Sequence, residues 1–505
     1  MSISHDRRSF LQSSAAIGAG GLAFLSDLPE VRAADAKLDK DLVAFAPDIE
    51  PLVRLIEDTG RDKLLEEIGS RIKKGLAYRE LLAGLLLAGV RNVQPRPNVG
   101  FKFHSVLVVN SAHQAALAGP DNERWLPIFW ALDNFKSAQA TNLKESGWRM
   151  RPTDESKVPT AQKARFDFTT AMDNWDVEAA DATVAGLARA ATKGELFDLF
   201  AKYGSRDFRD IGHKIIYVCN AFRTLEVIGW HHAEPVLRSL TYALLKHDGK
   251  NPAKEDLEPD RPGRKNTERI TKAVFPRRAT DRPNPNVTLE LVKSLRTATA
   301  DTIGGEVATL ITSGEASPRF LWDGLFLGAG ELLMRQPGIV GLHTLTTLNA
   351  LHYAARTTGN ADLCKLLLLQ GASFLPMFRE AMKARGKVGE MKIDELGGRK
   401  EAIKFSVRDV YAELSRDKET AARTALTVLQ GRPNAAKELI DEGRRLIFMK
   451  GTDAHDYKFS TSVMEDAAFV SPAWRNHFLA ASVFWLKGSE TPDAPLVKRT
   501  RAALA

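Results

Sequence analysis

The sequence predicts an all-α protein in which αα-hairpins stack into a compact array or toroid. Apolar residues recur at three- and four-residue steps in segments such as "DIEPLVRLIEDTG" and "AAKELIDEGRRLIF", which is the spacing of amphipathic helices. No sustained alternation of apolar and polar residues, typical of strands, is present. A helix–turn–helix pattern also recurs, and stacked hairpins would each bury the face that a neighbour leaves open.

The clearest repeat is a pair of ten-residue segments that begin and end with histidine. "HSVLVVNSAH" runs from His104 to His113, and "HTLTTLNALH" runs from His343 to His352. Each follows an apolar helical segment, "GLAYRELLAGLLLAGVRNV" in the first case and "ASPRFLWDGLFLGAGELL" in the second. Helices that are apolar almost all round are buried helices, so both segments are predicted to lie in the core.

A weaker third copy lies between these two, in "TKGELFDLFAKYGSRDFRDIGHKIIYVCNAFRTL". His213 and Asn220 stand for the leading histidine and the asparagine, and Arg223 takes the place of the trailing histidine. Each copy is thus predicted to be a helix, a turn that contains glycine or proline, and a second, buried helix.

The N-terminus resembles a twin-arginine export signal. Arg7 and Arg8 precede a mild Gly/Ala-rich apolar stretch, and "VRAAD" offers small residues for cleavage near residue 33. Residues 1–33 are therefore predicted to be a signal peptide read by the Tat export machinery, which would make the mature chain periplasmic or extracellular. The alternative is a cytoplasmic protein with a frayed apolar N-terminus. No later apolar run approaches the ~20 residues of a membrane span, so no transmembrane segment is expected after signal removal.

The rest of the chain is predicted to form two helical halves, residues 34–246 and 287–505. Residues 247–286 contain six prolines and no convincing periodicity, which indicates a Pro-rich basic linker or loop. Between Lys246 and Arg282, 11 basic residues face 7 acidic ones, but no aromatic residues interleave for base stacking. Together with a modest net charge of +8, this argues against a nucleic-acid partner.

Familiar catalytic motifs are absent from the sequence. It has no HExxH, no phosphate-binding GxxxxGK[ST], no GxSxG elbow and no dinucleotide-binding GxGxxG that follows a strand. Two cysteines are too few for a cysteine-ligated iron–sulfur cluster or a zinc ribbon. Histidines in apolar helices are what remain as candidates for chemistry.

Two sets of histidines are candidate metal ligands. Histidines nine residues apart lie about 180° apart around a helix, so one ion would take one histidine from each of several helices. The leading set is His104, His213 and His343, near the starts of their helices, and the trailing set is His113, His352 and His232. Buried imidazoles need metal, carboxylate or backbone partners, and Asn110, Asn220 and Asn349 would offer hydrogen bonds. The alternative is that all are satisfied core histidines, copied when a structural unit was duplicated.

A further polar cluster is "DAHDYKFSTSVMED". His455, with Asp453, Asp456 and Glu465, would offer imidazole and oxygen ligands to iron or manganese. The alternative is a helix N-terminus capped by Asp453 or Asp456, with Tyr457 in the core.

The His-bearing segment "GHKIIYVCNAFRTLEVIGWHHAEPVLRSLTYALL" resembles questin-oxidase-like proteins. That resemblance implies a mostly helical, His-rich fold and oxygen-dependent cleavage of polyaromatic ketones. The export signal departs from the fungal members of that group, so no substrate and no catalytic residue is carried over.

Taken together, these observations predict an exported, metal-dependent oxidoreductase of the oxygenase type. Its multi-histidine site would hold a transition metal, with iron preferred and haem as one form. It would act on a small molecule that the sequence does not identify, an aromatic one being one candidate. The alternative is a non-catalytic periplasmic helical-repeat protein that binds a partner or carries a metal.

Overall fold

The computed structural model describes residues 41–96, 102–272, 285–400 and 404–505, so the predicted signal peptide lies outside it. The prediction of an all-α protein is confirmed, because the described residues form 22 α-helices and no strand. The helices are α1 Glu50–Asp58, α2 Leu64–Lys73, α3 Tyr78–Asn92, α4 His104–Ala118, α5 Trp125–Glu145, α6 Ala161–Asn174, α7 Val177–Ala190, α8 Lys193–Gly204, α9 His213–Ile228, α10 Ala233–Leu244, α11 Arg261–Lys272, α12 Pro285–Leu295, α13 Ala300–Thr312, α14 Pro318–Arg335, α15 Ile339–Thr357, α16 Ala361–Lys383, α17 Val407–Leu414, α18 Lys418–Gly431, α19 Ala435–Lys450, α20 Ala454–Asp466, α21 Pro472–Ser482 and α22 Pro495–Leu504.

Short polar side chains fix where several helices begin. At each of these positions the side-chain oxygen accepts a hydrogen bond from a backbone N–H of the first turn, a group that the helix itself leaves without a partner. The capping residues are Asp176 for α7, Thr192 for α8, Thr299 for α13, Asn360 for α16, Asp417 for α18 and Asp453 for α20.

Four helices form a closed ring at the centre of the molecule. Helix α4 packs against α9 and α20, and α15 packs against the same two helices. Each of the four also packs against the helix that precedes it in the chain, which is α3, α8, α14 or α19. Neighbouring ring helices run in the same direction, since His104 meets His213 near one end and Asn110 meets Asn220 further along. The ring therefore brings four helix starts together, while the stacked repeat or toroid stays a prediction.

The two predicted halves share one hydrophobic core. Helices α4 and α9 belong to the first half, α15 and α20 belong to the second, and all four contribute side chains to one continuous buried cluster. A direct link is the Cys219 thiol, which donates to the Ala350 carbonyl at 3.2 Å. The halves are thus parts of one packed unit.

Residues 247–286, predicted to be a Pro-rich basic linker or loop, contain a helix in their described part. Helix α11 occupies residues 261–272, and the fully buried Asn266 donates to Gln370 at 2.8 Å and to Ser373 at 3.0 Å. The prolines of this segment do not exclude a helix, because Pro262 lies in the first turn of α11, where proline removes no intrahelical hydrogen bond. Residues 273–284 of this segment lie outside the described residues.

One described helix, α16, is long and apolar enough to cross a membrane by length and composition alone. In the most apolar part of α16, 67% of the residues are buried inside the protein, and buried core helices meet the same criterion. The absence of a membrane span from the mature chain stays a prediction.

Candidate metal centre

Four buried histidines converge where the ring helices begin. His104 and His213 are the first residues of α4 and α9, His343 lies in the second turn of α15, and His455 is the second residue of α20. One ring nitrogen from each lies within 4.8 Å of the other three. His213 and His343 are 0% exposed, and His104 and His455 are 5% exposed. The site is therefore enclosed by protein and built from imidazole donors alone.

The imidazoles follow one another around the site in the order of their helices. Ring centroids are 4.8 Å apart between His104 and His213, 4.5 Å between His213 and His343, 5.0 Å between His343 and His455, and 4.6 Å between His455 and His104. Because every ring touches its two neighbours in turn, the four rings enclose a single central position.

Hydrogen bonds on the outer nitrogens define how three of these rings are protonated. His213 Nδ1 lies 2.5 Å from the Asp210 carbonyl, and His343 Nδ1 lies 2.6 Å from the Ile339 carbonyl. His455 Nδ1 lies 2.5 Å from a carboxylate oxygen of Asp453. Carbonyl and carboxylate oxygens only accept, so each Nδ1 carries the proton and donates it. In the neutral ring, Nε2 is then left with a free lone pair.

The Nε2 atoms of the four rings face the centre of the site. His213 Nε2 is 2.9 Å from His104 Nε2 and 3.1 Å from His343 Nε2, and His455 Nε2 is buried without a hydrogen-bond partner in the described part of the chain. Burial, reinforced by the nearby Lys458, lowers the pKa of His213 and His343 well below 6.5, so both rings are neutral. The Nε2 atoms of His213 and His343 are both acceptors and cannot bond to each other, and a cation between them would remove their repulsion.

The spacing fits one first-row transition ion. For metal–nitrogen bonds of about 2.1 Å, adjacent ligands lie about 3.0 Å apart at 90° and about 3.4 Å apart in a tetrahedron. His213 Nε2 lies at separations of this size from His104 Nε2 and His343 Nε2, 2.9 and 3.1 Å, and all four donor nitrogens lie within 4.8 Å of one another. Rings in mutual contact leave no room between them for a porphyrin, so the residues present fit a single ion and do not fit haem.

A buried lysine completes the surroundings of the site. Lys458 is 1% exposed, and its Nζ lies 3.4 Å from His343 Nε2. It makes no salt bridge within the described ranges, and burial lowers its pKa to about 7. The carboxylate that raises the pKa of Lys458 is the more distant Asp453. Burial raises the pKa of Asp453, but its hydrogen bonds from His455 outweigh burial and lower that pKa to about 2. An amine able to lose its proton near neutrality therefore sits beside the four imidazoles.

A strained turn positions His213. Asp210 and Ile211 have φ of 53° and 47°, and Gly212 follows at 83°. A left-handed backbone is costly for a β-branched residue such as Ile211 and persists only where its surroundings impose it. The turn is held by the Thr347 hydroxyl, which donates to the Ile211 carbonyl at 3.2 Å, and it directs the Asp210 carbonyl onto the imidazole.

Gly212→Ala is expected to lower the free energy of unfolding by more than 2 kcal/mol, an order-of-magnitude value, and to lower metal affinity. A Cβ at this position would overlap the Thr347 hydroxyl and would also be strained at φ 83°. Chemical denaturation and a metal titration measure the two effects. Gly249→Ala is the matched control, because Gly249 has φ 77° with open space around its Cβ position. Equal losses in the two variants would show that backbone strain alone, and not the close approach of α15, accounts for the effect.

The structure brings together the leading set of the sequence prediction and does not bring together the trailing set. His113 Nδ1 bonds to the Tyr78 hydroxyl at 2.9 Å, and the ring of His232 contacts that of His231 at a tilt, with centroids 3.8 Å apart. His352 lies among aromatic rings on the far side of α15. The prediction that His113, His232 and His352 share one metal site is wrong, because these three histidines do not form a group of metal-binding size within the described residues.

The capping interpretation of the segment around His455 is confirmed, and of the four ligands predicted there only His455 joins the histidine group. Asp453 caps α20 by accepting from the His455 backbone N–H at 2.7 Å, and it also accepts from the ring of the same residue. Asp456 instead pairs with Lys487 at 3.0 Å, and Glu465 pairs with Arg223 at 3.0 Å, so neither carboxylate reaches the site.

The asparagines that were expected to support the histidines bond elsewhere. Asn110 donates to Asn220 at 3.3 Å, and Asn349 donates to Glu465 and Asp466, both at 2.9 Å. Backbone carbonyls and Asp453, and not the asparagines, accept the hydrogen bonds of the histidine Nδ1 atoms. His213 and His455 lie in the first turn of their helices and His343 in the second, so each Nδ1 is close to the start of its helix.

Lys458 is the site residue that sequence reasoning missed. It follows His455 by three residues, and residues three apart in a helix share a face. A lysine on the same helical face as a candidate ligand, followed by the apolar Phe459, was the available signal.

The resemblance to questin-oxidase-like proteins stays a prediction. No protein-family profile, no curated protein and no solved structure matches this chain.

Proposed function

We propose that this chain is a metalloprotein that binds one transition-metal ion through His104, His213, His343 and His455. The observation that carries the proposal is the contact between His213 Nε2 and His343 Nε2. In each of these two rings the proton lies on Nδ1, which donates to a backbone carbonyl, so Nε2 carries none. Two buried lone pairs 3.1 Å apart repel each other, and a cation bound between them would relieve that repulsion. Neutral imidazole suits iron, copper, zinc and nickel, and iron is the ion that we favour.

A finer proposal is that the bound ion serves a metal-dependent oxidoreductase that acts on a small molecule. A redox-active ion there would supply electron transfer or dioxygen activation. Support comes from the four imidazole donors, because imidazole is a ligand that suits redox-active iron and copper. Support also comes from Lys458, which holds an exchangeable proton next to His343 in a water-poor interior.

A non-catalytic metal-binding or metal-carrier protein is the second candidate. It is favoured by the enclosure of the site, since all four ligands are at most 5% exposed. Closed sites with four protein ligands are typical of structural metal centres, whereas catalytic centres keep an open position.

Elemental analysis of the full-length protein purified from its natural compartment tests the proposal. We expect one equivalent of a first-row transition metal per chain, and iron with a redox-dependent absorption spectrum for the oxidoreductase. One equivalent of zinc, with no redox signal, would support the non-catalytic candidate instead. Metal-free protein whose melting temperature is unchanged by added iron, copper and zinc would overturn metal binding altogether.

We also propose export by the twin-arginine route. The support is the Arg7–Arg8 pair, the Gly/Ala-rich stretch and the small residues near position 33. Such a route would suit a protein that must fold around its metal before it reaches the periplasm.

A further inference from the structure

A cavity lies on the opposite side of α15 from the four imidazoles of the metal centre. It has a volume of about 330 Å³, within the range of small-molecule sites. Trp322 and Phe326 from α14, His352 from α15 and Phe469 after α20 form its walls, together with Ala468. Phe469 is 38% exposed, an unusual degree for a phenylalanine, so the cavity reaches the surface.

Aromatic rings surround His352 on three sides. The centroid of the imidazole is 4.9 Å from that of Trp322, 5.1 Å from that of Phe326 and 5.2 Å from that of Phe469. These separations are those of favourable aromatic contacts, and a planar ring that enters the cavity would find the same kind of partner.

The imidazole of His352 is buried but its hydrogen bonding is incomplete. The residue is 7% exposed, and its Nδ1 has no hydrogen-bond partner among the described residues. The nearest carboxylate oxygen, on Asp466, is 4.0 Å from Nδ1, which is beyond hydrogen-bond range. A buried polar atom without a partner in a cavity wall indicates a site where a ligand supplies one.

Positive charge lines the mouth of the cavity. Arg319 is exposed, contributes to the lining, and forms no ion pair within the described ranges. Arg356 lies nearby, but it is occupied by the Phe469 ring, 3.7 Å from its guanidinium, and by Glu465 at 3.6 Å, a carboxylate that it shares with Arg223. Arg319 is therefore the cation available to an anionic ligand.

We propose that this cavity is a binding site for a small planar aromatic carboxylate. The aromatic ring of the ligand packs among Trp322, Phe326 and Phe469, its polar edge meets His352, and its carboxylate pairs with Arg319. Guanidinium binds carboxylate in a planar, two-pronged geometry, and aromatic walls favour a planar ring over an aliphatic one.

This site is separate from the metal centre. His343 and His352 are nine residues apart on α15, a distance of about 13.5 Å along the helix axis at 1.5 Å per residue. A ligand in the cavity therefore cannot touch an ion held by the four imidazoles, and its binding does not depend on the proposed metal site.

Isothermal titration calorimetry with 2-naphthoate tests the proposal on the full-length protein. We expect saturable binding with one site per chain, about tenfold weaker binding of the neutral 2-naphthamide, and weaker binding of cyclohexanecarboxylate. No saturable binding of 2-naphthoate at millimolar concentration, or equal binding of the acid and the amide, would overturn the proposal.

Substitutions at the cavity and elsewhere test whether 2-naphthoate binds in this cavity. Arg319→Gln is expected to weaken 2-naphthoate binding by about tenfold with little effect on folding, because the side chain is exposed. Arg408→Gln, an exposed arginine on α17, is the matched control and should leave binding unchanged. Phe469→Ala should also weaken binding, whereas the metal-site variant His213→Ala should not. Loss of binding in His213→Ala that retains its fold, or unchanged binding in Arg319→Gln, would rule out this cavity as the site.

Discussion

His213→Ala is expected to reduce bound metal from one equivalent per chain to less than a tenth of an equivalent. His213 is the imidazole whose Nε2 lies against two others, His104 at 2.9 Å and His343 at 3.1 Å. Its loss removes one ligand and breaks the ring of contacts on both sides. Loss of a ligand commonly costs metal affinity far more than loss of a supporting group, for which the cost is about 10- to 100-fold. Elemental analysis after dialysis measures the effect, and circular dichroism checks that the variant is folded.

His113→Ala is the matched control for this experiment. It is also a buried histidine of a ring-forming helix, 6% exposed, but it bonds to Tyr78 and lies outside the group of four. We expect it to keep its full metal content. If His113→Ala lost metal to the same extent as His213→Ala while both remained folded, the assignment of the site to the helix starts would be wrong.

Lys458→Met is expected to tighten metal binding by about tenfold or more and to stabilise the metal-free protein by roughly 2 kcal/mol. The Lys458 ammonium is fully buried and 3.4 Å from His343 Nε2, so it repels an incoming cation and occupies the lone pair that the cation needs. Methionine keeps a similar length and removes the charge. Competition titration with a coloured chelator measures the affinity, and chemical denaturation without metal measures the stability.

Lys136→Met provides a contrast of opposite sign. Lys136 is also buried, at 8% exposure, but it donates to the Ile56 and Glu57 carbonyls and to Gln139. Its replacement removes those hydrogen bonds, and the Glu57 carbonyl keeps only the weaker one from Gln139 at 3.3 Å, so we expect lower stability and unchanged metal affinity. Weaker metal binding in Lys458→Met would contradict repulsion and would identify the neutral amine as a fifth ligand.

Much of the fold was predictable because helical periodicity is a local property. The apolar spacing in "HSVLVVNSAH" and "HTLTTLNALH" predicted the buried helices α4 and α15, and the structure contains both. The prediction failed within residues 247–286, where proline was read as a sign of a loop. Pro262 is compatible with the first turn of α11, and the buried contacts of Asn266 that stabilise this helix come from distant residues.

The sequence by itself determined that the protein is helical and that histidines stand at the starts of buried helices, because both follow from the order and spacing of neighbouring residues. Only the tertiary structure decided which of those histidines meet. His104 and His113 lie on the same apolar helix, and nothing local distinguishes a side chain that faces the centre of a four-helix ring from one that faces Tyr78. Which histidines meet depends on how α4, α9, α15 and α20 pack. The same packing places Lys458 beside the four imidazoles and His352 in a separate aromatic cavity.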